Sequence, residues 1–145
     1  MQQYHITIID KKDEEIDEIE RIRREAFHLK RSGCNYYKKF IKDGKILSFA
    51  LVSDDNQMIG GCYLGSYHNS IYIYYLFMKP EYQKTGLQLG RNLLLSILKH
   101  KKRIEELLHQ SFEYSSLHPT CKKVQEIYES IGYQEVKNGY FEKRI

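Results

Sequence analysis

Apolar residues recur along this chain in two rhythms, and each change of rhythm marks a new element. Tyr4 to Ile9 alternates in part and is rich in β-branched residues, which predicts a first strand. From Asp13 to Leu29 the spacing is helical: Ile16, Ile19, Ile22, Ala26 and Phe27 recur at three- and four-residue steps, with acidic residues in the first turn. Arg31-Ser-Gly-Cys-Asn35 breaks that helix, and Tyr36 to Ile41 forms a short second one, ended by Asp43-Gly44. Lys45 to Val52 and Gln57 to Tyr67 read as strands joined by the turn Ser53-Asp-Asp-Asn56, with Gly60-Gly61 as a bulge in the second.

After the turn His68-Asn-Ser70, Ile71 to Met78 is apolar or aromatic at almost every position, the pattern of a strand buried on both faces. Leu89, Leu93, Leu94, Ile97 and Leu98 form a helical stripe, and Ile104 to Leu108 either extends that helix or packs separately. Ser111 to Leu117 predicts a strand, and Lys122 to Ser130 a short helix with Gly132 at its C′ position. Tyr133 to Val136 and Tyr140 to Arg144 close the chain as a hairpin around Lys137-Asn138-Gly139. The order β-α-α-β-β-β-α-β-α-β-β belongs to the α/β class, a mixed sheet with helices on both faces.

Composition narrows this little. A chain of 145 residues, 41% hydrophobic and 29% charged with two prolines, is expected to fold as one globular domain over residues 1–145. The net charge of +4 favours an anionic ligand, but it is too small and too scattered to argue for nucleic acid. Cys34, Cys62 and Cys121 are odd in number and widely spaced, with no C-x-x-C pair, so neither zinc nor a disulfide framework is expected. No apolar leader or membrane-length run stands out, which makes the cytoplasm the expected location and excludes a membrane partner.

The most informative stretch is Met78-Lys-Pro-Glu-Tyr-Gln-Lys-Thr-Gly-Leu-Gln-Leu-Gly90, which leads from the apolar strand into the helical stripe. The first turn of a helix leaves backbone N–H groups unpaired, and the macrodipole places partial positive charge there. Phosphate groups suit such a site, and Gly86 lets the backbone approach one with no Cβ in the way.

Element order and motifs together resemble the GNAT superfamily of acyl-CoA-dependent N-acetyltransferases, over essentially the whole chain. The most specific match is Leu76-Phe-Met-Lys-Pro80-Glu-Tyr82 followed by Gln83-Lys-Thr-Gly86-Leu-Gln88, which resembles the family's cofactor motif. A second, Ile127-Tyr128-Glu-Ser-Ile-Gly132-Tyr133, resembles its aromatic-Tyr-Glu-x-x-Gly-Phe segment. Gln88 stands where Gly or Ala is usual, Cys121 where Asn is common, and the stretch from Gly86 to Tyr128 is longer than usual.

The resemblance implies a GNAT-like mixed, mostly antiparallel sheet with helices on both faces, and acetyl-CoA as cosubstrate with no metal. The pantetheine amides would pair with the main chain of Phe77 and Met78, where a backbone N–H would also serve the oxyanion. The pyrophosphate would rest on the N–H groups of Gln83, Lys84, Thr85, Gly86, Leu87, Gln88 and Leu89, and the Lys84 side chain would add charge. Tyr128 takes the family's general-acid position. For the base, His118 is the candidate, with His68, Glu113 and ordered water as alternatives, because Ile71 to Met78 carries no carboxylate. Cys121 is read as a small residue at a helix start rather than an acyl carrier. Direct attack in a ternary complex is the family's usual course.

The acceptor is expected to be a small-molecule or peptide primary amine. It would enter opposite the cofactor past Phe27, His28, Cys34, Tyr36 and Tyr37, with Tyr72, Tyr74 and Tyr75 as aromatic walls. A homodimer is common in the family, and no nucleic-acid partner is expected. The alternative is a non-enzymatic acyl-CoA-binding sensor, supported by the missing strand carboxylate. A nucleotide-binding domain is a weaker alternative, since neither Gly-x-x-x-x-Gly-Lys-Ser/Thr nor Gly-x-Gly-x-x-Gly occurs.

Overall fold

A computed structural model describes residues 4–9, 12–27, 36–83 and 86–145, with 86–88 as backbone alone. The elements are β1 (Tyr4–Ile8), α1 (Asp13–Ala26), α2 (Lys38–Lys42), β2 (Ile46–Ser53), β3 (Met58–Tyr67) and β4 (Ser70–Met78). After a 3₁₀ turn at Pro80–Tyr82 come α3 (Gly86–Leu98), α4 (Lys101–Leu108), β5 (Tyr114–Leu117), α5 (Lys122–Ser130), β6 (Gln134–Lys137) and β7 (Tyr140–Arg144). The strands form one seven-stranded sheet in the order β1-β2-β3-β4-β5-β7-β6. Every neighbouring pair is antiparallel except β4 and β5.

Each face of the sheet carries its own core. On one, Ile16, Ile19 and Ile22 of α1 pack fully buried with Ala50, Tyr63 and Phe77 of the strands. On the other, Leu93, Leu94 and Ile97 of α3, Ile104 of α4 and Tyr128 of α5 cover Leu51, Cys62, Leu64, Ile71 and Ile73. The helical stripes supply the apolar faces, and the strands' alternation serves both layers at once. None of the described helices is long and apolar enough to cross a membrane.

Several boundaries differ from the sequence reading. The first helix runs to Ala26 with Phe27 as its C-cap, while residues 28–35, including His28 and Cys34, lie outside the described residues. Ile104 to Leu108 belongs to a separate helix, α4, which begins at Lys101 and turns its single fully buried side chain, Ile104, into the core. The predicted strand from Ser111 is paired only from Tyr114. Gly60-Gly61 is not the bulge: the register slips between Leu51↔Gly60 and Val52↔Met58, which leaves Ile59 as the extra residue.

The two glycines have a different cause. A Cβ on Gly60 meets the Phe77 carbonyl oxygen at 2.5 Å, and one on Gly61 meets the Phe49 carbonyl oxygen and Ile19 Cδ1 at 2.8 Å each. They let β3 lie tightly against its neighbours and α1.

A second register slip matters more for the site. Tyr63 pairs with Tyr75 and Leu64 with Ile73, so Tyr74 is an extra residue in β4. One extra residue reverses the parity of everything after it. Ile71 and Ile73 face the α3–α5 core, whereas Tyr75 and Phe77, two and four positions further on, face α1. The strand is therefore not buried throughout: Tyr74 is 39% exposed at the slip.

Gly61→Ala should cost about 1–3 kcal/mol in urea unfolding, because backbone oxygen cannot yield as a flexible side chain can. Gly90→Ala is the contrasting case, since its Cβ meets only Leu76 Cδ2, at 3.6 Å. It should be neutral or stabilise by up to about 1 kcal/mol. Equal effects at the two positions would remove the close-approach explanation.

Candidate active site

β4 and β5 pair over only four positions, from Ser70↔Tyr114 to Ile73↔Leu117. β4 then continues to Met78 beside β3, while the chain after Leu117 turns away through Pro119 into α5. The strands separate, and a cleft of about 470 Å³ opens between them. Its walls come from both faces of the sheet: Phe27 and Tyr75 on the α1 side, Arg91, Val124 and Tyr128 on the α3–α5 side. The cleft therefore passes through the sheet.

The main chain of β4 at this opening follows from the pairing. Lys79 N–H donates to Ile59 O at 2.8 Å, and the Phe77 carbonyl is directed at β3, close to Gly60. Alternation then turns Leu76 and Met78 toward the cleft. The main-chain groups open to the cleft are therefore those of Leu76 and Met78, while those of Phe77, expected to meet a cofactor, face β3. The Phe77 side chain is packed against α1 instead.

Beyond Met78 the chain reaches the N-terminus of α3 at Gly86. The first-turn amides from Gly86 to Leu89 have no intrahelical acceptor, which makes this end of the cleft suited to an anion. The Gln83 amide is already committed, donating to Pro80 O at 3.2 Å, so it drops out of the predicted set. Its side chain acts as a brace: Nε2 donates to Ala26 O and Met78 O, each at 3.1 Å, and ties the end of α1 to the end of β4. Lys84 and Thr85 lie outside the described residues, as do the side chains of Leu87 and Gln88. Two cations that the sequence reading missed, Arg91 and Lys123, line the cleft. The signal was available, since each falls within two turns of the start of a helix that begins at the motif or at Cys121.

Tyr128 lines the cleft and is 8% exposed. Burial, reinforced by the neighbouring Cys62 and Cys121 thiols, pushes its phenol well above the ordinary value, so the hydroxyl keeps its proton through the neutral range. Of the three side chains considered as base, only His118 lines the cleft. Its Nδ1 lies 2.6 Å from the Tyr72 hydroxyl, and its ring packs against Tyr72 and Tyr140. His68 and Glu113 sit at the opposite, closed end of the β4–β5 pair, where Glu113 N–H donates to Asn69 O at 3.0 Å. Cys121 occupies the N-cap position of α5 and is exposed at the cleft, yet its side chain makes no capping hydrogen bond. Among the described residues no cluster of His, Cys, Asp and Glu is arranged to hold a metal.

No protein-family model matches the sequence, and no curated protein is significantly similar to it. Solved structures do match. An aminoglycoside 6'-acetyltransferase type Ii superposes with a TM-score of 0.71 at 15% identity, over 97% of this chain and 96% of that one. An acetyltransferase of the GNAT family from Staphylococcus aureus superposes with a TM-score of 0.63 at 16% identity, over 97% and 99%. The chain has the GNAT fold. The PaiA N-acetyltransferase of Thermoplasma acidophilum, solved in complex with coenzyme A, shares it at a TM-score of 0.64 and 20% identity, over 99% of both chains.

On this GNAT fold the α1 side of the cleft is held by a buried ion pair absent from the sequence reading. Glu20, fully buried, accepts from Arg23 Nε at 2.7 Å, Tyr63 Oη at 2.9 Å and the Tyr37 amide at 3.0 Å. Burial opposes the Arg23 charge, but the hydrogen bond and charge of Glu20 outweigh it and hold its pKa above the ordinary value. The guanidinium lies over the Tyr37 and Tyr75 rings, 5.0 and 5.2 Å from their centroids. Of the aromatic residues expected at the acceptor end, Phe27, Tyr74 and Tyr75 line the cleft. Tyr37 packs behind Tyr75, and Tyr36 packs on Tyr37.

Two charges held this way tolerate no loss of one partner. Glu20→Ala should destabilise the protein by about 3–5 kcal/mol in chemical denaturation, by leaving Arg23 buried and uncompensated. Tyr63→Phe, which removes one neutral donor, should cost about 1–2 kcal/mol. A smaller loss for Glu20→Ala than for Tyr63→Phe would show that water replaces the carboxylate.

Proposed function

We propose that this chain is an N-acetyltransferase of one domain, residues 1–145, that moves an acetyl group from acetyl-CoA to a primary amine by direct attack in a ternary complex. The observation that carries the reading is the cleft through the sheet, with the start of α3 at one end and Tyr128 on its wall. Its volume of about 470 Å³ lies in the range of small-molecule sites. The edge of β4 at Leu76 and Met78 offers main-chain partners to an extended amide-bearing arm. The α3 amides, with Arg91 and Lys123 nearby, suit its phosphates.

Acetyl-CoA supplies the activated acyl group, and the chain supplies position and protons. Holding donor and amine together from opposite faces of the sheet replaces a bimolecular encounter with an oriented one. A β4 amide facing the cleft, at Leu76 or Met78, is placed to receive a developing oxyanion. Tyr128 keeps its proton at neutral pH and is the donor to the departing sulfur. His118 is the one side chain among the proposed bases at the cleft, and its contact with Tyr72 fixes the ring.

Two variants test separate parts of this reading. Gly86→Val should weaken acetyl-CoA binding about ten-fold or more by calorimetry, with little change in Tm, since a branched side chain obstructs approach to the helix amides. Unchanged affinity would place the phosphates elsewhere. Tyr128→Phe should lower kcat about a hundred-fold while acetyl-CoA affinity stays close to wild type. Equal turnover would remove its acid role, and binding of acetyl-CoA with no turnover of any amine would favour a sensor.

A further inference from the structure

The two mouths of the cleft differ in chemistry, and the difference bears on the amine. The α3–α5 side carries Arg91 and Lys123. The α1 side is walled by the rings of Phe27, Tyr74 and Tyr75. Among the described residues lining the cleft there is no Asp or Glu. The nearest carboxylate behind the aromatic wall, Glu20, is fully buried and already accepts from Arg23, Tyr63 and Tyr37.

Part of the ring surface is already taken. Arg23 lies over both Tyr37 and Tyr75, so a resident guanidinium uses one face of Tyr75. Each further ammonium on an acceptor would meet no carboxylate among the described lining residues, and the cations there, Arg91 and Lys123, are left to the cofactor's phosphates. A polyamine or an aminoglycoside carries several such groups. A monoamine that reacts as its free base carries none at the moment of attack.

The wall does offer edges and apolar area. Phe27 and Tyr75 meet at 5.3 Å with their planes tilted by 57°. At the rim Tyr74 packs edge-on against Tyr72 at 4.8 Å. Phe27 is 36% exposed and Tyr74 39%, so both still present surface that a bound molecule can cover. An aromatic ring entering there extends the same tilted, edge-to-face arrangement.

We propose that the acceptor is a small monoamine with an aromatic body, of the arylalkylamine class, seated against Phe27, Tyr74 and Tyr75 with its amine directed into the cleft. This rests on the acetyltransferase reading above and goes further by choosing among amines.

The test is a CoA-release assay at fixed acetyl-CoA with 2-phenylethylamine and tyramine against spermidine, an aminoglycoside and n-butylamine. The aromatic monoamines should exceed each of the other three in kcat/KM by about ten-fold or more. Faster turnover of spermidine or the aminoglycoside overturns the acceptor assignment and leaves the transferase reading intact. Acetyl-CoA binding without turnover of any amine overturns both. Phe27→Glu supplies a second measurement at a half-exposed position that the core does not need. Placing a carboxylate on the wall should shift the ratio of spermidine to phenylethylamine turnover toward spermidine by about ten-fold. An unchanged ratio in a folded variant overturns the placement of the acceptor on this wall.

Discussion

Where β4 and β5 stop pairing decides almost everything else about this molecule. Parallel strands that stayed together to Met78 would bury their main-chain groups in each other and leave a closed sheet. Instead pairing ends at Ile73 and Leu117. The backbone groups that follow on β4 would be costly if sealed away without partners, so those not already engaged, as the Met78 carbonyl is by Gln83 Nε2, must face either water or a ligand. The turn through Pro119 and the start of α5 at Lys122 carry the next strand away and hold the gap open. Tyr74 adds the second half of the arrangement. By inserting one residue where the strands part, it moves Tyr75 and Phe77 to the α1 face and leaves Leu76 and Met78 on the α3–α5 face. The gap thereby has an aromatic side and a side of helix termini and cations.

An opening through the middle of a sheet weakens the layer that α1 packs on, and the chain compensates with two ties. Gln83 links Ala26 to Met78 across the mouth of the cleft. The Glu20–Arg23 pair joins α1 to β3 through Tyr63, and to the start of α2 through the Tyr37 amide. Surface pairs from Lys38 to Asp17 and from Lys42 to Asp13 accompany that contact, though exposed ion pairs contribute little on their own. A buried ion pair is not a cheap source of stability compared with an apolar cluster. What it supplies here is orientation: the guanidinium can satisfy Glu20 and lie over two rings only if α1, β3 and β4 keep one arrangement.

The element order, the helices and the turn from β4 into α3 were legible in the sequence because each is written in local chemistry. Turn residues, apolar periodicity and a glycine at a helix start act over a few positions, and the structure places their elements within about three residues of the pattern. The bulge was not legible. In Ile71 to Met78 nearly every residue is apolar or aromatic, so no polar residue marks which face each one takes, and a parity reversal leaves no trace. The glycines at 60 and 61 were visible, but their cause is a tertiary approach, which sequence spacing does not encode. Glu20 and Arg23 did leave a signal. They lie four residues beyond Ile16 and Ile19 respectively, on the apolar stripe of α1, where charged residues have no reason to be unless they are paired. The base candidates were separable only in three dimensions, since His68, Glu113 and His118 all neighbour the ends of β4 or β5, and only His118 reaches the open one.

The missing carboxylate on β4 changes meaning in this setting. A site that binds a protonated amine needs a base strong enough to remove the proton, and it needs compensation for the charge until then. A cleft with no carboxylate among its described lining residues offers no such compensation from its side chains, and burial there disfavours the ammonium relative to the free amine. In the proposed reaction the amine would enter with its lone pair available, at the expense of the fraction that solution protonates. Proton removal would precede binding, and His118 would take up the proton released after attack. On the proposed reading the absent strand carboxylate and the aromatic lining would act together, favouring an acceptor that enters in the uncharged form.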